Sequence, residues 1–140
     1  MAKSKKLHGK AISAKATRGL NIGSMVVAAD NSGARIVRIT GVKGGKSTKR
    51  RQQYAKIADH VKVSVRAGKP DMKGNVFDAV IRQKRSYRRL TGERVAFEDN
   101  AVCILKDDKG NPKGTQTKGP VAREVQERWQ SVAKIAQFVL

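Results

Sequence analysis

Between residues 60 and 66 apolar and polar side chains alternate without a break: Val61, Val63 and Val65 on one side, Lys62, Ser64 and Arg66 on the other. A period of two marks a half-buried antiparallel strand. Two shorter runs precede it. Residues 23–29 read as a strand, and Ala34–Val42 as a second, with Ile36, Val37, Ile39 and Val42 apolar and Arg35 and Arg38 polar. Asp30-Asn31-Ser32-Gly33 between them has the residues of a tight turn, so the pair predicts a β-hairpin. Residues 52–59 predict a helical turn. Residues 76–105 predict a meander: an apolar-rich run (76–81) enters a basic run (82–89), turns at Leu90-Thr91-Gly92 and returns over 94–97. A corner at Glu98-Asp99-Asn100 then feeds Ala101–Leu105, the most apolar run of the chain. Beyond Gly119-Pro120 the period changes. Val121, Ala122, Val125, Trp129, Val132, Ala133 and Ala136 recur at spacings of three and four. That predicts one amphipathic helix or two short ones within residues 119–136, with Pro120 at the first helical position and Glu124 and Arg128 paired. About five antiparallel strands at this length best hide their edges by closing into a small barrel.

Charge changes the picture more than hydropathy does. The 140 residues carry 31 Lys and Arg against 11 Asp and Glu, a net charge of +20. Solubility needs a net charge of only about 2 to 8, and the excess repels itself in a compact fold. A polyanion would neutralise it, with nucleic acid ahead of an anionic membrane. Residues 1–22 contain Lys3, Lys5, Lys6, Lys10, Lys15 and Arg18 and no acid, and read as a basic arm ordered by RNA. Residues 23–140 read as a single domain. No apolar run is long enough to span a bilayer, and Glu124 and Glu127 on the C-terminal helix would be repelled by anionic lipid.

Little in the chain offers catalysis. Cys103, the one cysteine, lies in an apolar run and reads as a small core residue. Neither His8 nor His60 has companions, and His60 reads as a surface or edge residue. Gly44-Gly45-Lys46-Ser47-Thr48 imitates a phosphate-binding loop, but Thr40 stands where the first glycine of that motif belongs. The acid pairs Glu98-Asp99 and Asp107-Asp108 lie in turns. No catalytic residue, metal ligand or cofactor site follows. Tyr87, among Arg85, Arg88 and Arg89, could stack on a base or pack beneath the turn. Trp129 could pack on the barrel or anchor a partner protein.

Three motifs stand in one order: Ala29-Asp30-Asn31-Ser32-Gly33-Ala34-Arg35, then Phe97-Glu98-Asp99-Asn100-Ala101, then Gly119-Pro120-Val121-Ala122-Arg123-Glu124 followed by Arg128-Trp129. With residues 66–70, residues 79–83 and Tyr87-Arg88-Arg89, they resemble the large-subunit ribosomal protein family fourteen, in its archaeal and eukaryotic branch and most of all its archaeal members. The resemblance implies a mainly β fold: a small closed five-stranded antiparallel β-barrel with short C-terminal α-helices, here with a basic N-terminal arm. It implies binding to large-subunit (23S-type) ribosomal RNA in the cytoplasmic ribosome, and intersubunit bridges with small-subunit RNA. The neighbours it implies are the ribosomal proteins L-three and L-twenty-four-e, and the anti-association initiation factor six near the C-terminal helices. Trp129-Gln130 stands where the branch often has Trp-Pro.

The expected role is a non-catalytic RNA scaffold. Its RNA-binding side chains are expected to be Arg35; Lys43, Lys46, Lys49, Arg50 and Arg51 in one loop; Arg82, Lys84, Arg85, Arg88, Arg89 and Arg94 around the other; and the six arm cations. Arg123, Arg128, Trp129 and Phe138 are the expected partner-protein surface. A free-standing single-strand binder would want aromatic platforms, whereas aromatic residues make up only 4% of this chain. A nuclease would want spaced carboxylates with metal.

Overall fold

The computed structural model describes residues 19–43, 49–50, 52–82, 85–89, 91–137 and 139. Among these residues nine strands and two helices follow in chain order: β1 (Leu20–Asn21), β2 (Met25–Ala28), β3 (Ala34–Val42), β4 (Tyr54–Ala55), β5 (His60–Gly68), β6 (Val76–Arg82), β7 (Tyr87–Arg88), β8 (Arg94–Val95), β9 (Ala101–Leu105), α1 (Arg123–Arg128) and α2 (Gln130–Lys134). Strands β2, β3, β5, β6 and β9 close into a barrel. The expected hairpin is β2–β3, with Val27 opposite Ile36.

Not every pair in the barrel is antiparallel. β2 and β9 run parallel, Val27 beside Ala101 and Ala28 beside Val102. The odd number of strands requires it: five strands that alternate in direction return to the first with the last pointing the same way.

Alternation builds the barrel core and, on β6 and β9, a second one outside it. Val26, Val37, Ile39, Val61, Val63, Val65, Ala79, Ile81, Val102 and Ile104 fill the barrel. Val80, Cys103 and Leu105, of opposite parity, point outward and meet Ala122, Val125, Trp129 and Val132 of the C-terminal segment, with Tyr87, Val95 and Phe97 of the meander. β9 is buried on both faces, which is why it reads as an unbroken apolar run.

Three expectations change. Residues 52–59 form no helix; Tyr54 and Ala55 pair with Asn21 and Leu20, so residues 19–22, assigned above to the arm, belong to the body. Helix α1 begins at Arg123 with Ala122 as its N-cap, and Pro120 stays outside, its carbonyl accepting from Arg82 Nη1 (3.2 Å). The helices part at Trp129 (φ −130°, ψ 71°) without a proline. The buried indole fixes that residue: its Nε1–H donates to Ala58 O (2.9 Å).

At the rim, β3 and β5 approach too closely for side chains. A Cβ on Gly68, at φ +153°, would lie 2.6 Å from Gly33 O. Gly68→Ala is therefore expected to destabilise the barrel by about 1–3 kcal/mol through strain, read as a lower denaturation midpoint at unchanged m-value.

Candidate nucleic-acid interface

The basic meander divides into internal and external arginines. β7 and β8 form a two-stranded ribbon outside the barrel, with Tyr87 opposite Val95 and Arg88 opposite Arg94. Tyr87 and Val95 face the body and are buried; Arg88 and Arg94 face out and are exposed. Arg85, ahead of the ribbon, is exposed too. Two guanidinium groups directly across a strand pair repel each other, so the ribbon presents concentrated positive charge.

Arg89 does something else. It is 9% exposed, and its Nε–H donates to Glu124 Oε1 (2.9 Å) at the start of α1. Tyr87 Oη donates to the second oxygen, Oε2 (2.8 Å). Burial pushes the Glu124 carboxyl up, but the bonds from Arg89 and Tyr87 overcome that and hold it below the usual glutamate range. For Tyr87, burial and the Glu124 carboxylate both push the phenol up. Tyr87 thus packs beneath the turn rather than offering a base platform.

Arg82 is also turned inward. Its Nη2 donates to Asp99 Oδ1 (2.7 Å), Nη1 donates to the carbonyls of Lys118 and Pro120, and its guanidinium lies 5.9 Å from the Phe97 ring centroid. Arg82 joins the corner before β9 to the segment that leads into α1. The second and third sequence motifs meet here.

The first motif is a clasp. Asp30, buried, receives the Ser32 hydroxyl on Oδ1 (2.7 Å) and the Ile104 amide on Oδ2 (2.8 Å). Asn31 Oδ1 receives the amides of Thr115 (2.8 Å) and Gln116 (3.2 Å). The sequence predicted a local turn; its long-range bonds to β9 and to residues 115–116 were not legible in it. Asp30→Ala would leave the buried Ile104 amide without its acceptor, an expected loss of about 1–3 kcal/mol measurable by urea unfolding. Cys103 lies against the same carboxylate, and burial pushes its thiol up, as expected of a core residue.

Of the other predicted RNA contacts, Arg35, Lys43, Lys49 and Arg50 are exposed. Lys43 Nζ lies 3.5 Å from Asp108, both exposed. Lys46, Arg51, Lys84 and the arm residues Lys3, Lys5, Lys6, Lys10, Lys15 and Arg18 lie outside the described residues, as does Phe138. The expected partner-protein surface does not hold together as one exposed face. Arg123 is exposed, but Trp129 is 2% exposed and wedged into the second core. Arg128 Nη1 lies 3.5 Å from Asp59 Oδ1, with its guanidinium over the indole.

His60 corrects the sequence reading. It is buried, with Nε2 3.2 Å from Asp78 Oδ1 and its ring edge-on to Trp129 at 5.2 Å. Burial raises the Asp78 carboxyl, but Lys62 and His60 more than reverse this and hold it low. Among the described residues no group of three or more His, Cys, Asp or Glu could hold a metal ion, and no helix is long and apolar enough to cross a membrane.

Known proteins place this geometry. A family model described as ribosomal protein L14p/L23e matches residues 19–140. Large ribosomal subunit protein uL14 of Nanoarchaeum equitans is 54% identical over 132 residues, 94% of this chain and 99% of that protein. The proteins of that name from Halorubrum lacusprofundi and Methanothrix thermoacetophila are 47% and 48% identical; the first covers 94% of this chain and 99% of itself, the second 91% and 96%. The matched span takes in the barrel, the ribbon and both helices. The chain belongs to the ribosomal protein L14p/L23e family and is a structural protein of the ribosome, not an enzyme.

Proposed function

We propose that this chain is built into the large subunit of the cytoplasmic ribosome by binding large-subunit ribosomal RNA, and that it helps bridge to small-subunit RNA. The observation that carries this reading is the exposed cross-strand pair Arg88 and Arg94 on a ribbon whose other face is buried. Like charges placed opposite one another destabilise a free protein; phosphates between them reverse the sign. Arg85, Arg35, Lys49 and Arg50 extend the cationic surface. Ribosomal RNA presents backbone and shape more than a groove code, and dispersed guanidinium groups suit it. Arg82 and Arg89, expected at first to touch RNA, serve by holding the ribbon and the C-terminal helices to the barrel. Neighbouring proteins of the L-three and L-twenty-four-e kinds, and initiation factor six near the helices, complete the proposed partners. For the last, Arg123 and the exposed residues of α1 and α2 remain available, whereas Trp129 does not.

Sedimentation of a native lysate through a sucrose gradient after a high-salt wash tests the reading. Retention of the chain with the large subunit is expected. Its recovery in a free or salt-stripped pool would overturn the assignment and leave an RNA-binding barrel of another role.

A further inference from the structure

We propose that the outer face of β2 and β3, extended to the start of β6, is a docking surface for a protein segment that combines aliphatic anchors with aspartate or glutamate side chains. The inference rests on the reading of this chain as a large-subunit component.

Among the described residues, one outer face of the barrel is covered and another is bare. Val80, Cys103 and Leu105 lie under the C-terminal helices. On β2, β3 and the start of β6, Met25, Val27, Ile36 and Val76 are exposed at 55%, 47%, 38% and 59%. Val27 is paired with Ile36, which puts their Cβ atoms about 5 Å apart. Met25, Arg38, Ser64 and Val76 form one row across β2, β3, β5 and β6, a span of about 14 Å at the usual strand spacing. Met25, Val27 and Ile36 adjoin one another, and Val76 stands at the far end of that row beyond Arg38 and Ser64.

The charge around them selects the occupant. Arg38 and Arg66 are exposed on the same strands. The one carboxylate on the described residues of these four strands, Asp78, is buried and engaged by Lys62 (3.1 Å). A second copy of this chain would bring the same cations to face them, and like charge across an interface is costly. RNA would use the arginines but leave the aliphatic side chains beside them without a partner. Met, Val and Ile offer a phosphate backbone nothing. An acidic protein segment with apolar side chains uses both features.

A photo-crosslinking amino acid at Val27, in chains incorporated into purified large subunits, reads the occupant by mass spectrometry. The expected adduct joins Val27 to a protein peptide with Asp or Glu within a few residues of the attachment. Reversing Arg38 and Arg66 to Glu together is expected to lower its yield at least fivefold while the chain remains in the subunit. An adduct to a nucleotide, an adduct to a second copy, no adduct, or a yield unmoved by charge reversal would overturn the inference and leave the ribosomal reading intact. Absence of the unsubstituted chain from large subunits would remove both. Met25, more exposed still, is the second attachment site if the Val27 variant melts early.

Discussion

Glu124→Ala is expected to lower the unfolding free energy by about 3–5 kcal/mol, the range for removing one partner of a buried ion pair. The cause is what remains. Arg89, 9% exposed, would lose its close carboxylate and keep the exposed Glu93 at 3.9 Å, and the Tyr87 hydroxyl would lose its acceptor. Chemical denaturation at constant ionic strength checks the magnitude. Replacing all three groups with apolar shapes (Tyr87→Phe, Arg89→Met and Glu124→Leu) should restore most of the loss, because buried ion pairs gain little over well-packed hydrophobic side chains. If the triple variant were as unstable as the single one, the account of Tyr87, Arg89 and Glu124 as a latch between ribbon and helix would fail. Acid adds a second check. The folded pKa of Glu124 is depressed, so its contribution is fully present above the unfolded-state value, about 4.3. It fades as pH falls from there through the lower folded value. The stability gap between the parent and Glu124→Gln should therefore be constant near neutrality and narrow only in acid. Asp78, also depressed, adds to the parent's acid sensitivity without affecting the gap.

Reversing Arg85, Arg88 and Arg94 together to Glu should weaken binding to large-subunit RNA by on the order of a hundredfold or more at moderate salt. The log K against log salt slope should become shallower by about 2 to 3, since each phosphate contact contributes about 0.7–0.9. All three residues are exposed, so the protein should still fold, and cooperative unfolding of the free variant is the control. Reversing Arg88 alone should modestly stabilise the free protein by placing an acid opposite Arg94. Stability and RNA affinity would then move in opposite directions at one position. Arg89 would behave otherwise: its reversal should unfold the latch and lower both. An unchanged salt slope in the triple variant would exclude the ribbon as the RNA contact.

The sequence made the barrel strands legible because one face of each is buried. The alternation at Val61, Val63 and Val65 and the apolar run of β9 follow from that directly. Short pairings were hidden. β4 is two residues long, and what fixes it is Leu20 and Asn21, more than thirty positions away. His60 was misread for the same reason. Nothing beside it in sequence shows that Asp78 and Trp129 fold over it. The RNA-facing charge was legible as a cluster, but not its division. Arg88 and Arg89 are adjacent and chemically identical; only the ribbon's alternation turns one to solvent and the other to Glu124. The three motifs located the family well and the interface poorly. Their side chains Asp30, Asn31, Asp99 and Glu124 are engaged in holding the fold together.

The parallel seam between β2 and β9 has a consequence for how the chain acquires its shape. A polypeptide emerging from its N-terminus offers β2, β3, β5 and β6 in an order that each can pair as it arrives. The last strand alone can complete the circle. The bond from the Ile104 amide to Asp30 spans 74 residues, a closure whose entropic cost is met late. Until β9 is delivered, β2 keeps an open edge, the condition under which nascent β-proteins pair wrongly with one another. A truncated nascent chain stalled before residue 101 should therefore be protease-sensitive, and the same chain extended past the third motif should become resistant in one step.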